Sequence, residues 1–136
     1  MKNGIAVFWA LFVLCISMTA QQINLTSEGL NLVLSDKGQL TLLSDPASGK
    51  NYLAANEMAP LLQILVNDKW YAPDKATTKA DIVSLIYKPV NIIAHVKVEQ
   101  KKTHISFELI KLSSIEKVNA VVWGPYPTII SKTIGE

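Results

Sequence analysis

Hydrophobic and polar residues alternate along much of the chain after residue 20, with the two-residue period that is typical of half-buried β-strands. The alternation is clearest in residues 29–45, where leucines occupy even-numbered positions on both sides of residues 36–38. Pairing Leu34 with Leu40 puts both rows of leucines, including Leu42, on one face of a hairpin. The three-residue loop between them ends in a glycine, which can adopt the left-handed conformation that such a loop requires. The pattern therefore predicts a hairpin here.

Further short strands, separated by turn signals, are predicted at residues 61–66, 69–71, 82–87, 91–99, 104–112 and 118–122. Asn67-Asp68 suits a two-residue turn between the first two of them. The polar segment 72–80 is predicted to be a surface loop. Residues 51–59 fit either a helical turn or a loop, and the pattern leaves these two alternatives open.

The two longest predicted strands form a hairpin. Their apolar alternation places Val98 opposite Ile105 and Glu99 opposite His104, and the chain turns through residues 100–103. Opposite charges in such a cross-strand pair contribute at most about 1 kcal/mol.

The last part of the chain continues the β pattern without a polar tail. Val118, Ala120 and Val122 alternate with their neighbours as in a half-buried strand, the WGPYP sequence bends the chain, and residues 128–134 resume a β-rich run. Apolar side chains at a C-terminus are expected to need a partner. We therefore predict an N-terminal fragment of a longer protein.

No helical periodicity persists over three turns after residue 20, whereas seven or eight short strands are separated by turns. The predicted fold class is all-β: an antiparallel β-sandwich built of hairpins, with an incomplete supersandwich as a variant. The predicted domain organisation is a signal peptide over residues 1–20 and one β-sandwich domain over residues 21–136, truncated at its C-terminus.

Residues 1–20 have the composition of a secretory signal peptide. Lys2 is followed by an uncharged apolar run over residues 5–16 and by small or polar residues up to Ala20, after which we predict cleavage. The apolar run is shorter than the roughly 20 residues of a membrane-spanning helix. Export to the periplasm, the cell surface or the extracellular space is thus predicted, without a retained membrane span. A retained anchor and a lipid-modified Cys15 remain as alternatives.

The composition of the mature chain excludes several classes of site. Cys15 is the only cysteine, so that removal of the signal peptide leaves no disulfide and no thiol ligand for a metal. All 13 basic residues are lysines, and the 12 that remain after Lys2 is removed nearly balance 11 carboxylates. Neither a phosphate-tracking surface nor bidentate readout of guanine fits a chain without arginine. We therefore expect no nucleic-acid partner, no cofactor and no metal.

Polar residues offer little catalytic chemistry. His95 and His104 are the only histidines and are predicted to be solvated on a sheet surface. The carboxylates Asp81, Glu99, Glu108 and Glu116 lie in or beside small hairpins rather than around a cleft, as glycoside cleavage would require. No catalytic residue is predicted, and whether the chain belongs to an enzyme is left open.

Four aromatic residues are the candidate binding residues. Trp70 and Tyr71 follow a predicted turn, and Trp123 and Tyr126 bracket a proline-containing bend. Flat rings at loop edges can stack on a sugar face while their N–H and O–H groups form hydrogen bonds. The alternative is that one of Trp70 and Tyr71 faces the core and that Trp123 fills the sandwich interior.

The run LNLVLSDKGQLTLLSDPASGKNYL resembles the opening strands of galactose-mutarotase-like β-sandwich domains. Such domains stand at the N-terminus of many secreted bacterial glycoside hydrolases and polysaccharide lyases. The closing VNAVVWGPYPTIISKTIGE is similar to a segment of such secreted proteins in which the chain continues into a larger carbohydrate-active enzyme. The resemblance spans residues 30–136. It implies a catalytic domain C-terminal to this chain and supplies no catalytic residue within it.

The predicted function is that of a non-catalytic N-terminal β-sandwich portion of a secreted glycoside hydrolase, which packs on a catalytic domain or helps to shape its substrate cleft. A polysaccharide or oligosaccharide is the expected ligand of the whole enzyme. Two alternatives remain: a free-standing carbohydrate-binding module, and a structural or adhesive domain of the cell envelope.

Overall fold

The computed structural model describes residues 21–131, which form ten β-strands and two short 3₁₀ turns. The predicted signal peptide and the end of the predicted C-terminal run lie outside the described residues. The strands are β1 (Ile23–Ser27), β2 (Leu30–Leu34), β3 (Leu40–Ser44), β4 (Leu62–Val66), β5 (Lys69–Tyr71), β6 (Lys75–Lys79), β7 (Ile82–Tyr87), β8 (Ile92–Gln100), β9 (Ile105–Leu112) and β10 (Ala120–Trp123).

The strands form three antiparallel sheets. The N-terminal sheet has the order β1-β2-β3, the central sheet β10-β4-β5, and the four-stranded sheet β6-β7-β8-β9. Only the central sheet joins strands that are distant along the chain, since β10 pairs with β4. The prediction of an all-β, sandwich-like fold is confirmed.

Side chains from all three sheets meet in one core. Leu34 from the N-terminal sheet, Leu62 and Ile64 from the central sheet, and Leu85 and Val96 from the four-stranded sheet are completely buried. Burying a side chain of this size stabilises the fold by about 1.5–3 kcal/mol. The core is therefore shared, and no single sheet can form it alone.

The first hairpin forms as predicted at its turn. Leu34 lies opposite Leu40, the Ser35 N–H donates to the Gln39 carbonyl over 2.8 Å, and Gly38 has a φ of 71°. One detail of the prediction is wrong: a bulge at Thr41 shifts the register, so that Leu43 rather than Leu42 faces the leucine row of β2. An extra residue on one strand reverses the alternation beyond it.

The predicted surface loop at residues 72–80 is wrong, because residues 75–79 form β6 at the edge of the four-stranded sheet. Ala76 is buried, whereas Lys75 and Lys79 are exposed. β-branched threonines favour this strand. Lysines on a solvent-facing edge are a common feature of edge strands, and in a single sequence they resemble a loop.

The hairpin of β8 and β9 forms with a different register. Val98 lies opposite Phe107, and Glu99 lies opposite Ser106, so the predicted pairs of these two residues are wrong by two positions. The Lys101 N–H donates to the His104 carbonyl over 2.9 Å, which closes a two-residue turn instead of the predicted four-residue one. The shorter turn adds pairs to the ladder without changing which side chains share a face.

The turn between β4 and β5 agrees with its prediction. Asn67 and Asp68 have φ values of 48° and 59°, the left-handed pair that a type I′ turn needs. The ambiguous segment 51–59 is a loop, attached to its surroundings by isolated bridges such as Leu53 with Thr128.

Candidate interaction site

β10 lies at the edge of the central sheet and defines the candidate site. Val121 lies opposite Ile64, and Trp123 lies opposite Leu62, so both side chains share the face that β4 turns towards the core. A strand was predicted here, but the predicted inward positions of Ala120 and Val122 are wrong, because they lie opposite Leu65 and Gln63. The register with β4 decides the faces of β10, and the local alternation does not reveal that register.

An apolar stretch begins at β10 and extends beyond it. Its members remain between 37% and 60% exposed although they are large and hydrophobic: Val121, Val122, Trp123, Tyr126, Ile129 and Ile130. The stretch covers ten consecutive positions; Val121 and Trp123 lie on the core-side face of β10, and Val122, opposite Gln63, lies on the other face. Exposed apolar patches of this kind mark interaction sites more often than free surface.

An apolar cleft opens beside this stretch, between the sheets. Its volume is about 290 Å³. The rings of Phe107 on β9 and Trp123 stand at its mouth, with centroids 6.2 Å apart and planes inclined at 46°. The cleft is lined by Leu32, Leu40, Leu43, Leu61, Phe107, Trp123 and Tyr126.

Tyr126 fixes one wall of the apolar cleft. Its hydroxyl donates to the Leu61 carbonyl over 2.7 Å, and the same carbonyl accepts the Gly124 N–H at 3.3 Å. Burial raises the pKa of Tyr126 to about 12. The hydroxyl is therefore protonated at neutral pH and already engaged as a donor to the backbone.

The structure does not bring the four predicted sugar-stacking residues together. Trp123 and Tyr126 line the apolar cleft, whereas Trp70 lies opposite Leu65, on the outer face of the central sheet. Tyr71 lies opposite Ile64 on the other face and packs against the core, as one of the two adjacent residues was expected to do. A single platform of all four rings is not formed.

Phe107 belongs to the cleft but was not a predicted site residue. Its alternation with Ile105 and Leu109 assigned it to the core, and these three side chains are only half-buried. The sequence pattern predicts the face of the strand on which a side chain lies. How deeply that side chain is buried depends on which sheet packs over it. No local signal distinguishes a covered aromatic ring from an uncovered one.

Two of the polar residues considered for catalysis, His95 and Glu99, have structural partners. The Ser84 hydroxyl lies 3.0 Å from His95 Nδ1 on the outer face of the four-stranded sheet. Glu99 contacts the ammonium groups of Lys97 at 2.8 Å and Lys101 at 3.2 Å, and the hydrogen bond from Lys97 is the main reason why its pKa is lowered. Such a carboxylate stays ionised and is a poor proton donor.

Within residues 21–131, no group of three or more histidine, cysteine or carboxylate side chains could hold a metal ion. The same part of the chain contains no helix that is long and apolar enough to cross a membrane.

Residues 21–131 form a β-sandwich-like fold, and within this part of the chain the apolar cleft is open at one edge of the central sheet. Comparison of the chain with protein-family models, with curated proteins and with solved structures gives no match.

Proposed function

We propose that this chain is the N-terminal, non-catalytic β-sandwich portion of an exported carbohydrate-active enzyme, and that it packs through its apolar stretch against the catalytic domain. The observation that carries the proposal is the exposure of six large apolar side chains between Val121 and Ile130. Leaving such side chains in water loses roughly 25 cal/mol of favourable free energy for each Å² of apolar surface that a partner could cover. A covering domain turns that loss into binding free energy.

The chemistry of the apolar cleft favours a protein partner over a sugar. Its only polar side-chain groups are the Trp123 indole N–H and the Tyr126 hydroxyl, and the latter already donates to Leu61. A sugar carries several hydroxyls, and burying each one without a partner costs about 1–3 kcal/mol. An aliphatic or aromatic side chain carries no such cost. The carbohydrate specificity is therefore assigned to the whole enzyme rather than to this cleft.

The first test compares the solvent exposure of the two tryptophans of the domain. Trp9→Phe/Trp70→Phe leaves Trp123 as the only indole of this chain, and Trp9→Phe/Trp123→Phe leaves Trp70. The two rings are similarly exposed, at 40% and 46%, but lie on opposite faces of the central sheet. Acrylamide quenching is measured for each in this chain and in the polypeptide encoded by the reading frame that continues past Glu136.

We expect the quenching of Trp123 to fall about tenfold in the longer polypeptide, while the quenching of Trp70 stays within about twofold, because only the face of Trp123 is covered. The longer polypeptide should cleave a polysaccharide that this chain alone leaves intact. Equal quenching of Trp123 in both proteins would refute the proposal, as would a reading frame that stops at Glu136.

A glycan array tests the competing carbohydrate-binding module. The isolated chain is compared with Trp70→Ala and Trp123→Ala. We expect the chain to bind no glycan on the array. Binding that disappears in Trp123→Ala but persists in Trp70→Ala would instead make the apolar cleft a sugar site and overturn the assignment of the cleft to a protein partner.

A further inference from the structure

The outer edge of β10 carries backbone groups that point away from β4. The Gly124 N–H donates to the Leu61 carbonyl, and in an antiparallel ladder only every second residue exchanges hydrogen bonds with its partner strand. Val122 therefore bonds to β4, whereas the N–H and C=O groups of Val121 and Trp123 point outward. In residues 21–131, β10 pairs with no strand besides β4.

The other side of β4 confirms this assignment independently. The two-residue turn makes Val66 and Lys69 a hydrogen-bonded pair, so that Ile64 bonds towards β5. Leu62, two residues earlier, must then also point its carbonyl away from β10. It does, because that carbonyl accepts the Tyr87 hydroxyl at 2.9 Å.

The free edge and the apolar cleft are linked through Trp123. A residue of an added strand that lies directly opposite Trp123 has its side chain on the same face of the sheet. The ring of Trp123 projects from that face and forms part of the lining of the apolar cleft. Strand addition would therefore place one side chain of the partner beside the cleft.

The cleft and the edge also determine the chemistry of that strand. Residues 118–131 contain no charged side chain, so a charged segment would find no counter-ion there. The cleft of about 290 Å³ is about twice the size of an engineered apolar cavity that accommodates benzene. A large aliphatic or aromatic side chain fits this space, whereas alanine would leave most of it empty.

We propose that the free edge of β10 accepts an extended, uncharged protein segment as an additional strand, and that this segment inserts a large apolar side chain into the apolar cleft. This inference rests on the proposed function, because the segment would belong to the partner domain. A second copy of β10 fits less well. Pairing of two such edges about a two-fold axis centred on Val122 brings Val121 opposite Trp123, and valine is too small to fill the cleft.

The test is amide hydrogen exchange of the purified chain, followed by NMR. The probe is a short acetylated and amidated peptide that alternates threonine with valine and has leucine at its centre. We expect the peptide to slow the exchange of the Val121 and Trp123 amides by about tenfold, because each gains a hydrogen bond. The Val122 amide already bonds to β4 and should change little, so it also reports whether the edge is folded.

Two matched controls separate backbone pairing from cleft filling. A peptide with alanine at its centre should bind about tenfold more weakly, because the cleft stays empty. Val121→Pro removes an outward N–H that β4 does not use and should abolish the protection of Trp123, whereas Val121→Thr keeps the N–H and should retain it.

The outcomes distinguish this inference from the proposed function. Peptide binding without protection of Val121 and Trp123 would overturn strand addition but leave the packing surface intact. Absence of peptide binding to a folded edge would also overturn strand addition. It would not decide the proposed function, which the quenching of Trp123 in the longer polypeptide tests separately. Protection in the absence of peptide that rises with protein concentration would identify a second copy as the occupant and refute the inference.

Discussion

Gly38→Ala is expected to lower the free energy of unfolding by about 2–5 kcal/mol. Two effects add at this position. Gly38 has a φ of 71°, where a side chain costs about 1–2 kcal/mol. A Cβ would also lie 2.9 Å from Leu85 Cδ2 and 2.9 Å from Pro73 Cγ, both on buried residues, and overpacking of this kind costs about 1–3 kcal/mol. Urea denaturation of the two proteins, followed by circular dichroism, measures the difference.

Gly49→Ala is the matched control for this prediction. Gly49 has a similar φ of 65°, but no atom lies within 4 Å of the position of its Cβ. Gly49→Ala should therefore lower the free energy of unfolding by about 1–2 kcal/mol, because it adds backbone strain but no overpacking. Equal effects of the two substitutions would show that the contacts with Leu85 and Pro73 do not matter.

Tyr87→Phe is expected to cost about 1–3 kcal/mol at neutral pH. Tyr87 is completely buried, and its hydroxyl donates to the Leu62 carbonyl over 2.9 Å. Removing the hydroxyl leaves a buried acceptor without a partner, and that penalty exceeds the value of an average hydrogen bond. The volume of the side chain hardly changes, so cavity formation contributes little. Tyr52→Phe serves as the control, since the structure shows no hydrogen bond from the Tyr52 hydroxyl within residues 21–131.

The same substitution should change how stability depends on pH. Burial raises the pKa of Tyr87 above the value of about 10 that tyrosine has in an unfolded chain. Below pH 10 both states keep the proton, and the hydroxyl contributes fully. Above it the unfolded state loses the proton first, so the contribution is lost as pH rises. The free energy of unfolding should fall more steeply above about pH 10 for the unmodified chain than for Tyr87→Phe. Parallel curves would contradict this assignment.

Local chemistry was sufficient to predict two of the hairpin turns, but not the turn between β8 and β9. Gly38 and the pair Asn67-Asp68 adopt the left-handed conformations that their hairpins need, and both hairpins are present. These features depend on a few neighbouring residues. The bulge at Thr41 is different, because an extra residue in β3 becomes visible only when β2 is aligned against it.

The candidate site depends on long-range pairing, which the sequence pattern does not contain. Trp123 and Tyr126 were predicted as binding residues from their place around a bend, and the structure joins them to Phe107. That association requires β10 to pair with β4 and β9 to lie across from it. Trp70 has the same residue type and a similar position beside a turn, yet it lies on the opposite face. Composition alone could not separate these two tryptophans.

The lysines of β6 make its edge different from the edge formed by β10. Lys75 and Lys79 stand on the outer edge of the four-stranded sheet, and a strand approaching that edge would have to strip water from two ammonium groups. β10 has no comparable barrier at its own edge. Addition of a strand is therefore less favourable at the β6 edge of the four-stranded sheet than at the β10 edge of the central sheet. Pairing of β10 in one copy with β6 in another, which could repeat from copy to copy, is therefore disfavoured.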